Sequence, residues 1–214
     1  MQGMSRVVGR PGSGVRGPRG RRLLLTVLFP ALSAVPGCAQ TEADPVQAAG
    51  LEAFREALRD PDDAAGPPEP VRSPAPCRVT RIVDGDTIDC EPVGRIRLIG
   101  MDTPERGQRP YGPRATRVLR GMIPVGTPVE VERDVEPTDR YGRVLGYVWV
   151  SGELVNWWMV RTGYAVTLTY PPNVQYVERF RDAQAEARRE GAGLWAVDGF
   201  ACEPRAYRAG ACGR

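Results

Sequence analysis

The chain has 214 residues, 42% of them hydrophobic, which is enough for one ordinary domain with a real core plus extensions. It contains no histidine and its 29 basic residues are all arginine, so Ser-His and Cys-His nucleophile systems and imidazole metal sites are excluded. The formal charge of +3 is no sign of a polyanion partner: six arginines and no acid lie in residues 1–37, which leaves 23 arginines against 26 acids in the rest.

Residues 1–22 are rich in Gly, Pro and Arg, and Leu23 to Ala34 is an apolar run ending in small residues. These are the n-region and h-region of a secretory signal, and the run falls short of the ~20 residues that span a bilayer. Val35-Pro36-Gly37-Cys38 resembles a bacterial lipobox, although Pro36 departs from it. Lipidation of Cys38 and ordinary cleavage after Ala39 are both open, and either exports the chain to the cell surface or the medium. Residues 39–76 are acidic and broken by prolines. A short amphipathic helix entered at Asp44-Pro45, with Leu51, Phe54 and Leu58 on one face, is expected to lead into a stiff linker.

From Cys77 the pattern changes to short strands and turns. Arg78 to Val83 and Asp86 to Cys90 flank Asp84-Gly85, a pair that favours a tight hairpin. Gly94 to Met101 follows as a third strand, and Pro113 to Met122 reads as a helix opening on Pro. Pro128 to Arg133 and Arg143 to Val150 form a second hairpin across the polar loop Asp134 to Gly142. Leu154 to Arg161 is a helix stopped by Gly163, and Val174 to Glu190 is one ending at Gly191. Five short strands with three helices predict a small closed barrel, since closure removes sticky edges. The expected organisation is a leader at 1–38, a linker at 39–76, the domain at 77–200 and a tail at 201–214. Of the adjoining Trp157 and Trp158, at least one is expected in the core.

After Cys38 four cysteines remain, with no close C-x-x-C pair to hold zinc. In an exported chain disulfides are the natural reading. Cys77 and Cys90 flank the first hairpin almost symmetrically, which pairs them and leaves Cys202 with Cys212 to close the tail.

Three segments concentrate charge: Val83-Asp84-Gly85-Asp86-Thr87; Arg97-Leu98-Ile99-Gly100-Met101-Asp102-Thr103-Pro104-Glu105; and Thr138-Asp139-Arg140-Tyr141-Gly142-Arg143. Each alone is ordinary turn chemistry. In this order and spacing, with Tyr111-Gly112-Pro113, Val155-Asn156 and Gly193-Leu194-Trp195, they resemble the thermonuclease family of staphylococcal nuclease-like phosphodiesterases over roughly Arg78 to Trp195.

The resemblance implies an α+β fold, a five-stranded OB-fold β-barrel with three α-helices, and calcium-dependent hydrolysis of DNA and RNA. By position, Asp86 and Asp102 match the family's calcium carboxylates, the Thr103 carbonyl matches a third ligand, and Asp84 matches a supporting acid behind them. Arg97 and Arg143 match the phosphate-clamping arginines and Glu105 the proposed general base. Arg140 stands where a lysine is usual, and Tyr141 keeps the phosphate-contacting tyrosine. Either Tyr170 or Leu168 falls at the place of a base-stacking tyrosine. The loop from Glu105 to Tyr111 looks shorter than the family's, with Arg106 and Arg109 as its cations.

The chemistry agrees with these roles. A phosphodiester is an anion, so its hydrolysis needs positive charge on its oxygens, which two forked guanidiniums supply. Calcium takes hard oxygen ligands and needs no histidine; Mn2+ or Mg2+ also suits such a site. Glu105 is left to take a proton from the attacking water. The expected protein is an exported monomeric nuclease acting on single-stranded DNA and RNA, touching a membrane only through a lipid on Cys38. The alternative is a non-catalytic OB-fold nucleic-acid-binding module, which would have no need of Asp86, Asp102, Glu105, Arg97 and Arg143 together.

Overall fold

The structure, a computed structural model, describes residues 68–212. The leader, Cys38 and the expected amphipathic helix lie outside the described residues. Strands β1 (Ala75–Ile82), β2 (Thr87–Glu91) and β3 (Gly94–Leu98) form an antiparallel meander, and β5 (Pro128–Glu132) pairs with β1 and with β6 (Val144–Val150). A parallel pairing of β3 with β6 closes the order β3-β2-β1-β5-β6 into a five-stranded barrel. This is the α+β OB-fold barrel that the resemblance implies.

Inward positions alternate along the strands as a one-sided sheet requires: Val79, Ile88, Ile96, Leu98, Val131 and Val148 are buried, while Trp149 is buried on the opposite face against Tyr176. Helix α1 (Tyr111–Met122) presents Ala115, Val118, Leu119 and Met122 to this core. Helix α2 (Val155–Arg161) is buried along its whole length, Trp157 and Trp158 included. Helix α3 (Val177–Glu190) packs Phe180, Ala183 and Ala187 inward and ends on Gly191 in the left-handed region at φ 64°. It begins at Val177 rather than Val174, because the preceding residues turn instead: Asn173 bonds Glu136 N–H and C=O from its side chain.

Two departures from the expected elements bear on the site. The third strand does not run unbroken to Met101. It stops at Leu98 and resumes as β4 (Gly100–Asp102), which leaves the barrel and pairs antiparallel with β8 (Val166–Leu168), Asp102 opposite Val166. Gly100 makes the break, with φ 79° and no room for a side chain, since a Cβ there would lie 2.9 Å from the Phe180 ring. Buried Asn156 secures it by donating Nδ2–H to Ile99 O at 2.9 Å and accepting Val148 N–H at 2.8 Å. The second departure is the C-terminus, where a short helix α4 (Pro204–Arg208) follows a 3-10 turn at Trp195–Val197. A two-residue strand β7 (Glu153–Leu154) also folds back antiparallel on the end of β6. The cysteines are bonded as their spacing predicts, Cys77–Cys90 with Cα atoms 5.8 Å apart and Cys202–Cys212 at 5.9 Å.

Candidate active site

The hairpin between β1 and β2 turns on Asp84, whose Oδ1 accepts the Asp86 N–H at 3.2 Å. Burial pushes the Asp84 carboxyl up from the ordinary range, with the Thr87 hydrogen bond and Arg97 pulling the other way. Gly85 lets this turn lie directly on Thr103, because a Cβ there would meet Thr103 Oγ1 at 2.6 Å. The turn and the broken third strand are thereby locked together. Asp86 Oδ2 accepts both the Thr103 N–H at 3.1 Å and the Thr103 hydroxyl at 2.9 Å. Thr87 donates its hydroxyl to Asp86 Oδ1 at 3.2 Å.

Arg97, on β3, joins the two aspartates. Its Nη1 pairs with Asp86 Oδ1 and its Nη2 with Asp102 Oδ1 at 2.9 Å. Burial lowers the Arg97 pKa, and the charges of Asp102 and then Asp84 work against that loss. The break at Ile99 and Gly100 is what turns Asp102 back to this position. Glu105 stands at the margin, half-exposed, with its N–H given to Gln108 Oε1 at 2.7 Å.

Arg143 enters from the second hairpin. Its Nε and Nη2 both donate to Asp139 Oδ2 at 2.7 Å, while Asp139 Oδ1 accepts the Tyr141 and Arg143 backbone N–H groups at 2.9 Å. Partial burial would raise the Asp139 pKa, but these donors outweigh it and hold the carboxyl below its ordinary value. The Arg140 and Arg143 guanidiniums lie over the loop's Tyr141 ring, 4.8 and 5.7 Å from its centroid, and Tyr141 is 69% exposed. A groove of about 470 Å³ runs from Arg97 past Arg140, Tyr141 and Arg143 to Leu168 and Tyr170. Both residues left open for the stacking position therefore line it, and Tyr170 is the more available as a ring, at 64% exposure.

The fold thus gathers Asp84, Asp86, Asp102, Thr103 and Glu105 near Arg97, which lines the groove together with Arg140, Tyr141, Arg143 and Tyr170. Arg106 and Arg109 are exposed on the loop beyond Glu105. Sequence reasoning missed Asp139, Gln108 and above all Arg208. Arg208, on α4, donates Nη1 to Asp102 Oδ1 at 3.1 Å and Glu105 Oε1 at 2.6 Å, and Nη2 to Asp102 Oδ2 at 2.7 Å. The bonds to Asp102, more than those to Glu105, push its pKa further up. Its signal was faint: an arginine inside a cysteine-closed loop, with nothing local to say what the loop rests on.

The donor set fits a hard divalent cation. Asp86 and Asp102 offer anionic oxygens already drawn together by one guanidinium, which shows that the pair accepts positive charge between them. Among the described residues no group of three His, Cys, Asp or Glu converges, so such a cation would complete its shell with main-chain oxygen and water.

Residues 95–197 match the family model described as staphylococcal nuclease homologue. The chain is 38% identical to a thermonuclease of Staphylococcus intermedius over 125 residues, 55% of this chain and 74% of that protein. It is 41% identical to Protein ParB of Escherichia coli over 143 residues, 61% of this chain and 77% of that protein. To Endonuclease YncB of Bacillus subtilis (strain 168) it is 32% identical over 130 residues, 56% of this chain and 61% of that protein. A likeness that spans about three quarters of the thermonuclease, on a closed five-stranded barrel with the charged segments converging at one end, means that the chain belongs to the family of staphylococcal nuclease homologues.

Proposed function

We infer that the protein is an exported, divalent-cation-dependent nuclease that hydrolyses phosphodiester bonds in single-stranded DNA and RNA. The observation that carries this reading is Arg97, which bridges Asp86 and Asp102 and lines one groove with Arg143. Relatives carrying the names thermonuclease and endonuclease support the same activity.

Each residue has a task that its surroundings allow. Arg97 and Arg143 present forked donors on one groove and would grip a phosphate there, neutralising the charge that gathers on its oxygens in the transition state. Arg97 is prepaid in position by the two aspartates, and Arg143 by Asp139. Tyr141, braced by Arg140 and Arg143, offers its hydroxyl or its ring at the groove's rim, and Tyr170 offers a flat face for a base. Glu105, bridged to Asp102 by Arg208 and 39% exposed at its side chain, would take the proton of the attacking water. Asp86 and Asp102, with the Thr103 carbonyl beside them, would hold Ca2+, or Mn2+ or Mg2+, and Asp84 would keep the hairpin in place behind them. When bound, the cation supplies positive charge to the phosphoryl oxygen and lowers the pKa of coordinated water.

Two disulfides are what an oxidising compartment permits, which supports export. Labelling with palmitate would separate a lipid on Cys38 from free secretion, an unlabelled mature chain excluding the lipid. The activity test is incubation of the mature protein with single-stranded DNA and Ca2+, with and without EDTA. The expected result is cleavage that the chelator abolishes. Binding without cleavage would assign the protein to the non-catalytic class instead.

A further inference from the structure

Arg208 lies beyond residues 95–197, the segment that matches the family model, yet it bonds to both Asp102 and Glu105. It is carried by a short loop closed by Cys202–Cys212, with α4 inside it. That loop is seated on the segment from Asp102 to Gln108 at three points. Buried Gln108 accepts the Glu105 N–H on Oε1 and donates Nε2–H to Cys202 O at 2.9 Å, so one side chain ties the backbone beside the acid to the base of the tail. The Tyr207 hydroxyl rests on Gly107, 2.7 Å from where a Cβ would stand. The third point is the guanidinium itself, on both oxygens of Asp102 and on Glu105 Oε1.

A guanidinium donates hydrogen bonds into the carboxylate lone pairs that a metal ion would use for ligation, so the two cannot hold Asp102 in the same way at once. We propose that Arg208 is a tethered counter-cation that competes with the divalent cation for Asp102, and that the Cys202–Cys212 loop sets how strongly it competes. This rests on the reading of Asp86 and Asp102 as metal carboxylates. Without the metal, Arg208 and Arg97 together neutralise acids that would otherwise repel one another. When the metal arrives, Arg208 releases Asp102 and keeps Glu105, its 40% exposed side chain free to move toward solvent. The loop matters because a tethered cation acts at a high effective concentration, fixed by the tether rather than by the solution. It also places Arg208 beside Glu105, so the same contact that lets go of the metal carboxylate still fixes the acid next to it.

The test is calorimetric titration of the full protein with Ca2+, and with Mn2+ as a second probe. It compares the wild type, Arg208→Ala, Arg208→Lys and the double variant Cys202→Ser/Cys212→Ser, with Asp102→Asn as the control that should lose binding. Arg208→Ala is expected to bind at least about fivefold tighter, the lower end of a coupling between two cations at one site. Arg208→Lys, which keeps the charge but not the fork, should fall between it and the wild type. The double cysteine variant should shift in the same direction by a smaller factor, since the arginine remains but its local concentration drops. A wild type that binds the metal no more weakly than Arg208→Ala would overturn the competition. Failure of every protein to bind either ion would instead overturn the metal-carboxylate reading, and the competition with it.

Discussion

Glu132 and Asp102 are both buried carboxylates, 0% and 1% exposed, and they are satisfied in opposite ways. Glu132 accepts five hydrogen bonds from uncharged donors: Val71 N–H at 3.1 Å, Arg72 N–H at 2.7 Å, Gln175 Nε2 at 2.5 Å, Trp149 Nε1 at 3.0 Å and the Tyr176 hydroxyl at 2.7 Å. These donors come from the incoming chain, the barrel and the segment before α3, so the charge clamps three parts of the fold. Asp102 is held by two guanidiniums. Neutral donors built into backbone and rings have no competitor from solution, whereas a cation can be exchanged for another cation. The first arrangement makes a fixed node and the second an addressable site.

The sharpest way to break this contrast is to remove the fixed node. Glu132→Ala would take the acceptor from the Trp149 indole, the Gln175 amide and the Arg72 N–H, and should cost at least about 3 kcal/mol in urea unfolding, at ~1–3 kcal/mol for each unsatisfied group. Arg143→Ala should do the reverse, losing at least ~10²-fold in cleavage rate, the scale of one lost charge stabiliser, while calorimetric Ca2+ binding survives.

Alkaline pH tests the fixed node without mutation. Burial, then Asp134, raises the Tyr147 pKa, and burial, then the bond to Glu132, raises that of Tyr176. A raised pKa means that the folded state keeps its proton longer than the unfolded chain, whose tyrosines titrate near 10. Their contribution is therefore complete below about pH 10 and falls as the pH rises above it, which thermal melts across that range will show. The smallest effect belongs to the groove: Asp139→Asn frees Arg143 and should raise KM about two- to fivefold, the range of a partly exposed ion pair. Because Asp139 titrates below the usual range, the pair should persist as the pH falls through about 4 and fail only lower.

The barrel was legible because its strands are short extended runs and its turns and helix ends carry Asp-Gly and glycine stops, which are local signals. The acids and Arg97 were legible because they cluster within a few residues of tight turns. The break at Gly100 was not, since Leu98 to Met101 is apolar throughout and only Phe180, far along the chain, requires the turn there. Glu132 had no signal of its own within the strand Pro128 to Arg133, because its donors come from residues 71, 72, 149, 175 and 176. Arg208 sits in a tail whose cysteines announce a closed loop but not its resting place. What stayed hidden in each case depends on contacts between distant segments.

The central claim is that Glu105 acts on the attacking water while Glu132 only holds the fold together. It is tested most directly by single-turnover cleavage of a single-stranded DNA oligonucleotide at saturating Ca2+, comparing Glu105→Gln and Glu132→Gln with the wild type. The account predicts a loss of at least ~10²-fold for Glu105→Gln, the contribution of one general base, with the folded fraction of Glu132→Gln cleaving at close to the wild-type rate. Near-normal turnover by Glu105→Gln would contradict it.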